Sequence, residues 1–189
     1  MAHALTAQSH MEVVLSGIYE QFGVTPGINA RGNQTLLGGS TPPAEIQDAM
    51  DEAMNSGYVV FEDLLRKTGD FIAGTLGTEQ AFVTSGAAAA ISLGTAAALA
   101  GNDREKMGLI PDTSSFDRNE LVFQKGQDYT YKRCFTLAGA KLVEIGRKDG
   151  CTVEEMEAAI GPKTAGIAFY ESGAWGDEWV TIEEARALA

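Results

Sequence analysis

The chain has 189 residues and a mass of 20.0 kDa, enough for one ordinary domain and short for two. Hydrophobic residues make up 44% and charged residues 21%, which suits a packed core and excludes wholesale disorder. Against 26 acidic residues stand 14 Lys and Arg, a net charge of −12 with no basic cluster, so a nucleic-acid backbone is excluded as the expected partner.

Near the start, Val13, Val14, Ile18 and Phe22 recur at helical spacing and predict a helix over residues 9–22, with Ser9 and Glu12 as its capping box. A polar, Gly-rich stretch follows, from Ile28-Asn29-Ala30-Arg31-Gly32-Asn33 to Gly38-Gly39-Ser40. Helices are expected over residues 43–55 and 61–76, with Thr41 before Pro42-Pro43 as a start signal and Gly57 and Gly77 as stops. Beyond Gly77 the periodicity changes. Strands are expected over 81–84, 120–123, 141–145 and 165–170, and helices over 86–100, 129–138, 152–160 and from Thr181 onward. That alternation implies an α/β fold, a mostly parallel sheet with helices on its faces.

No apolar run reaches the roughly 18 residues of a membrane span, and Met1-Ala2-His3-Ala4 has no secretory signal pattern, so a cytoplasmic location without membrane contact is expected. Cys134 and Cys151 have neither CxxC spacing nor a nearby histidine, which points to two free buried thiols and no metal. The only histidines are His3 and His10, so a serine or cysteine triad is not expected. The last helix opens with a capping signal but runs to Ala189 with neither a stop signal nor a following strand. We therefore expect the sheet to be completed by a further segment or a second polypeptide.

Three places attract chemistry. In Val83-Thr84-Ser85-Gly86-Ala87 a strand turns tightly into a small-residue helix, whose first N–H groups have no intrahelical acceptor and favour an anion. The same pattern also serves as a close-packed βα turn. Asn29, Arg31 and Asn33 can bind a carboxylate or phosphate through the Arg31 guanidinium, or form an ordinary surface loop. Gln127-Asp128-Tyr129 and Glu171-Ser172 each follow a strand at the edge where ligands sit in open α/β sheets. Trp175 and Trp179 read as core or interface anchors.

Together these stretches, with Pro111-Asp112-Thr113 and Gly139-Ala140-Lys141-Leu142-Val143-Glu144-Ile145-Gly146, resemble the selenocysteine-synthase-like branch of fold-type-I pyridoxal-phosphate enzymes, which includes D-glucosaminate-6-phosphate ammonia-lyase-like proteins. The resemblance runs from about Pro26 onward. It implies an aspartate-aminotransferase-like large domain, incomplete at the C-terminus, with residues 1–41 as a helix and Gly-rich loop and 42–189 as the first part of that domain. It implies pyridoxal 5'-phosphate as cofactor, bound by Ser85, Gly86 and Ala87 at its phosphate and flanked by Gln127, where relatives carry a histidine. Asn29 and Arg31 take the substrate role. The lysine that carries the cofactor and the aspartate facing its ring nitrogen are implied beyond residue 189, since none of Lys67, Lys106, Lys125, Lys132, Lys141, Lys148 or Lys163 falls in the matching motif. The resemblance thus implies part of an oligomeric lyase or transferase acting on a small amino-acid-like substrate, by β-elimination or replacement. The alternative is a non-catalytic assembly subunit built on the same fold.

Overall fold

The apolar run Leu121-Val122-Phe123 sets the layers. In the computed structural model, which describes residues 19–39, 41–127, 130–171 and 176–189, this run lies in strand β1 (Glu120–Gln124). Successive side chains of a strand point to opposite faces. Leu121 and Phe123 accordingly pack with Leu99, Ala100, Phe116, Ala140 and Ala168, while Val122 packs on the other side with Cys151, Met156, Val180 and Ala185. A strand buried on both faces is the mark of a parallel sheet covered by helices. β2 (Lys141–Ile145) and β3 (Thr164–Ala168) pair with β1 in parallel, in the order β2-β1-β3, so β1 is central. The fold class expected from the sequence is the one observed.

Compact units divide at the Val59–Val60 link, and each is described by itself. In the first, Glu20–Phe22 forms a single 3-10 turn, and a second 3-10 turn, Thr35–Leu37, is pinched by paired backbone hydrogen bonds between Gln34 and Gly39 (2.8 and 3.2 Å). Most of the helix expected over 9–22 lies outside the described residues. Helix α1 (Ala44–Asn55) starts behind Pro43, without a side-chain cap from Thr41.

The second unit opens with α2 (Phe61–Leu76), ended as expected by Gly77 in the left-handed conformation (φ 69°). α3 (Ala87–Ala100) and α5 (Arg133–Leu137) cover one face of the sheet, tied together by the Ser92 hydroxyl donating to the Cys134 carbonyl (3.0 Å). Phe135 meets Phe123 with ring centroids 6.4 Å apart. α6 (Val153–Ala159) and α7 (Ile182–Leu188) supply Met156 and Ala185 to the opposite core. Both begin with a complete capping box, Thr152–Glu155 and Thr181–Glu184. A short helix, α4 (Arg104–Leu109), capped by Asp103, was not expected.

Two expectations need correction. Residues 81–84 form no regular element; Ala81 lies against α2, where a side chain at Gly69 would run into its carbonyl, but the segment pairs with no strand among the described residues. A β-prone run becomes a strand only where a neighbour takes its hydrogen bonds. Among the described residues the helix expected over 129–138 shrinks to α5, whose Cys134 is buried and whose Phe135 packs against the core.

Candidate functional site

The turn into α3 is organised by Thr84. Its hydroxyl donates to the Gly86 carbonyl (3.0 Å) and accepts from the Gly86 N–H (3.4 Å), closing a small loop that leaves Ser85 exposed. Gly86 is the N-cap residue, with φ 152° and ψ 174°, a region glycine enters and other residues avoid. No side chain caps α3 and no acidic residue sits in its first turn, so nothing there competes for its leading N–H groups. An added Cβ on Gly86 would meet no atom within 4 Å, which leaves open space over the turn. A helix start with free donors, an exposed hydroxyl and open space fits an anionic group such as a phosphate. Thr84 escaped the sequence reading, although a hydroxyl two residues before a turn glycine is a recognisable local signal.

Beyond the C-terminal ends of β1 and β3 a second frame is built from side-chain amides. Gln124 is buried and acts as a strand partner for Val180, its Nε2 donating to the carbonyl and its Oε1 accepting from the N–H, both at 3.1 Å. Gln127 is fully buried, and its Oε1 accepts from the Tyr170 N–H (3.2 Å), tying the exit of β1 to that of β3. Its Nε2 is buried without a hydrogen-bond partner. Gly126, between them, lies under the Trp179 ring and the Lys148 carbonyl. Trp179 is thus the packing anchor the sequence suggested, whereas Trp175, Asp128 and Tyr129 lie outside the described residues.

In the first unit, the Asn29 side chain is spent on its own turn. Its Oδ1 accepts from the Arg31 N–H (3.0 Å) and its Nδ2 donates to the Gly32 carbonyl (2.5 Å), which leaves Arg31 exposed at the turn's tip.

A cleft of about 920 Å³ opens beside the exits of β2 and β3, lined by Arg147 and Glu171 among others. Glu154, Asp177, Glu178, Glu183 and Glu184 give it a negative rim that disfavours a phosphate. Cys151 also lines it, but burial, reinforced by Glu155, pushes its thiol up to about 11, far from the thiolate a nucleophile needs. Among the described residues, no group of His, Cys, Asp and Glu side chains is placed to hold a metal, and no helix is long and apolar enough to cross a membrane.

Comparison with known proteins gives the geometry its context. No family model matches the chain. Over 159 residues, 82% of its length, it is 35% identical to a D-glucosaminate-6-phosphate ammonia lyase of Salmonella typhimurium and covers 42% of that protein. Over a stretch of the same length it is 31% identical to a 5'-C-glycyluridine monooxygenase-decarboxylase of a Streptomyces species, covering 39%. Among solved structures, a D-glucosaminate-6-phosphate ammonia-lyase superposes with a TM-score of 0.84 at 30% identity, over 92% of this chain and 48% of the other. The chain therefore spans less than half the length of the relatives it matches. Over that span it is kin to the D-glucosaminate-6-phosphate ammonia-lyase-like proteins, as its motifs imply.

Proposed function

We propose, from this kinship, that the chain is the phosphate-holding part of a pyridoxal-phosphate-dependent lyase or transferase that acts on a small amino-acid-like substrate once a lysine-bearing segment or chain completes it. The observation that carries the reading is the uncapped start of α3 at Ser85-Gly86-Ala87. Ser85 would donate its hydroxyl to the phosphate, Gly86 would let the anion approach the backbone, and the N–H of Ala87 would add a donor along the helix dipole. When bound, the cofactor supplies an electron sink for charge on the substrate's α-carbon. The unsatisfied Nε2 of Gln127 offers a second donor, since a buried amide N–H left unpaired costs about 1–3 kcal/mol that a ligand oxygen would recover. Arg31, presented by Asn29, would pair with an anionic group of the substrate. The assembly is expected to be oligomeric and cytoplasmic, performing β-elimination or replacement.

The test is titration of the completed complex with pyridoxal 5'-phosphate. A charge-assisted hydrogen bond is worth about 1.5–3 kcal/mol, so Ser85→Ala should weaken binding about tenfold to a hundredfold. Cofactor affinity unchanged in Ser85→Ala would make the turn a packing corner. The second reading, a non-catalytic assembly subunit, would then take its place. One observation already favours that reading: the Oε1 of Gln127, at the position where the sequence resemblance implies a histidine, is committed to the Tyr170 N–H, which leaves only Nε2 for a ligand.

A further inference from the structure

Two buried glutamines stand at the C-terminal end of β1, and their amides are used differently. Gln124 spends both ends of its amide on Val180. Gln127 spends one: its Oε1 accepts from the Tyr170 N–H at 3.2 Å, and its Nε2 has no partner. Among the described residues one other buried side-chain atom lacks a partner, Oδ1 of Asn119, which lies ahead of β1 at the opposite edge of the sheet. An under-used buried oxygen is less exceptional than an orphaned buried N–H, so Gln127 is the one that calls for an explanation.

The neighbour fixes how the Gln127 amide is turned. A backbone N–H is met only by an acceptor, so Tyr170, just past β3, holds Oε1 on its own side and turns Nε2 away. On that other side Gln127 offers a donor and never an acceptor. Leu99 and Ala100, at the end of α3, cluster with Phe116 ahead of β1, so the start of α3 stands toward the edge where β1 ends and Gln127 lies.

We infer that Gln127 is a specificity-determining residue of this site, reading one acceptor through Nε2, and that the acceptor is the ring oxygen of pyridoxal 5'-phosphate. This rests on the pyridoxal-phosphate reading above and adds to it the polarity of one contact. Of that compound's polar groups, the phosphate belongs at the start of α3, the aldehyde is the reacting group, and the ring nitrogen is a donor when protonated. The ring oxygen is the acceptor that remains. Because Nε2 is shut off from water, no solvent molecule stands in for an oxygen the ligand lacks, and the whole hydrogen bond enters the preference. The same donor favours the ionised ring oxygen over the neutral hydroxyl.

The experiment titrates the complete protein with pyridoxal 5'-phosphate and with 3-deoxypyridoxal 5'-phosphate, which lacks the ring oxygen. The parent should prefer the first by about tenfold to a hundredfold, the range of one charge-assisted hydrogen bond. Gln127→Glu keeps an oxygen for the Tyr170 N–H and puts a second one where Nε2 stood. The preference should then vanish or reverse, and the absorbance of the bound compound should move from the ionised to the neutral ring hydroxyl. Gln127→Met, uncharged and without the donor, should lose the preference as well. A readout in the unsubstituted protein covers variants that do not fold: the Nε2 protons of Gln127, followed by nitrogen-15 NMR, should shift downfield with pyridoxal 5'-phosphate and not with the deoxy compound. Equal affinity of the parent for the two compounds overturns the inference. So does a preference that survives both substitutions, or an Nε2 signal that does not distinguish the two. The underlying reading fails on a different result, a parent that binds neither compound, and the inference falls with it.

Discussion

Gly126 carries the frame of the β1 exit on the absence of one carbon. A Cβ there would stand 2.5 Å from the Lys148 carbonyl oxygen and 2.7 Å from Cζ3 of Trp179. Neither can yield freely, because one is backbone and the other a ring packed on the core cluster of Val180, whose paired hydrogen bonds with Gln124 hold the same loop. Gly126→Ala is therefore expected to cost about 1–3 kcal/mol, the usual penalty for overpacking. Urea unfolding should show the midpoint falling with an unchanged slope, and an unmoved midpoint would mean that the Trp179 ring swings aside. Gly86 is special for a different reason. Its surroundings are empty, so any cost of substitution comes from its φ of 152° and from lost access to the turn. Gly86→Val should lower cofactor affinity in the completed complex more than Ser85→Ala does, in the same titration.

α6 and α7 are seven residues each, too short to be stable alone, and their capping boxes count for more as a result. At α7, Glu184 accepts from the Thr181 N–H (2.8 Å) and hydroxyl (2.9 Å), and these bonds hold its carboxyl below the usual glutamate range. A carboxyl whose folded-state pKa is depressed stabilises the fold above its ordinary pKa of about 4.3, and that contribution is lost as pH falls through the lowered value. Thr181→Ala should cost about 0.5–2 kcal/mol near neutral pH, and the gap from the parent should narrow as pH drops below about 4. Paired urea melts at neutral and acid pH measure it; a gap that stays constant would assign the cost to the hydroxyl–backbone bond from the Glu184 N–H alone. Both capping boxes were legible in the sequence because every partner lies within three residues. α2 and β2 were read with their observed limits for the same reason, local periodicity ended by local stops. Long-range partners were not legible. Residues 81–84 have the composition of a strand but no neighbour, α4 is a short helix whose Asp103 cap was passed over, and the burial of Gln127 depends on Tyr170, 43 residues away. The turn at Ser85-Gly86-Ala87 stands out in the sequence by its small residues, whereas the hydroxyl of Thr84 that shapes it does not.

At the scale of the whole molecule, the question is whether this chain can hold pyridoxal 5'-phosphate covalently by itself. A lysine becomes a ready amine nucleophile when burial or a neighbouring cation disfavours its charged form. All seven lysines of the chain are exposed or half-exposed. Lys67 pairs with Asp63 at 3.1 Å and Lys132 with Glu144 at 2.9 Å, so both amines are engaged by carboxylates. Lys106 is engaged elsewhere, its amine 5.6 Å from the centroid of the Phe116 ring. Lys163 precedes β3, and its carbonyl accepts from Asn119 and Glu120 at the N-terminal edge of the sheet, opposite the edge where the strands end. Lys125 alone directly follows the central strand at the C-terminal edge, exposed and with its backbone N–H bonded to the Ile145 carbonyl. The chain purified alone and incubated with pyridoxal 5'-phosphate should therefore give, after borohydride reduction, only weak labelling scattered over several lysines. Peptide mapping by mass spectrometry checks this. Stoichiometric reduction onto a single lysine, with Lys125 the position to inspect first, would show that the chain carries its own anchoring amine, and the need for a lysine-bearing partner would fall with it.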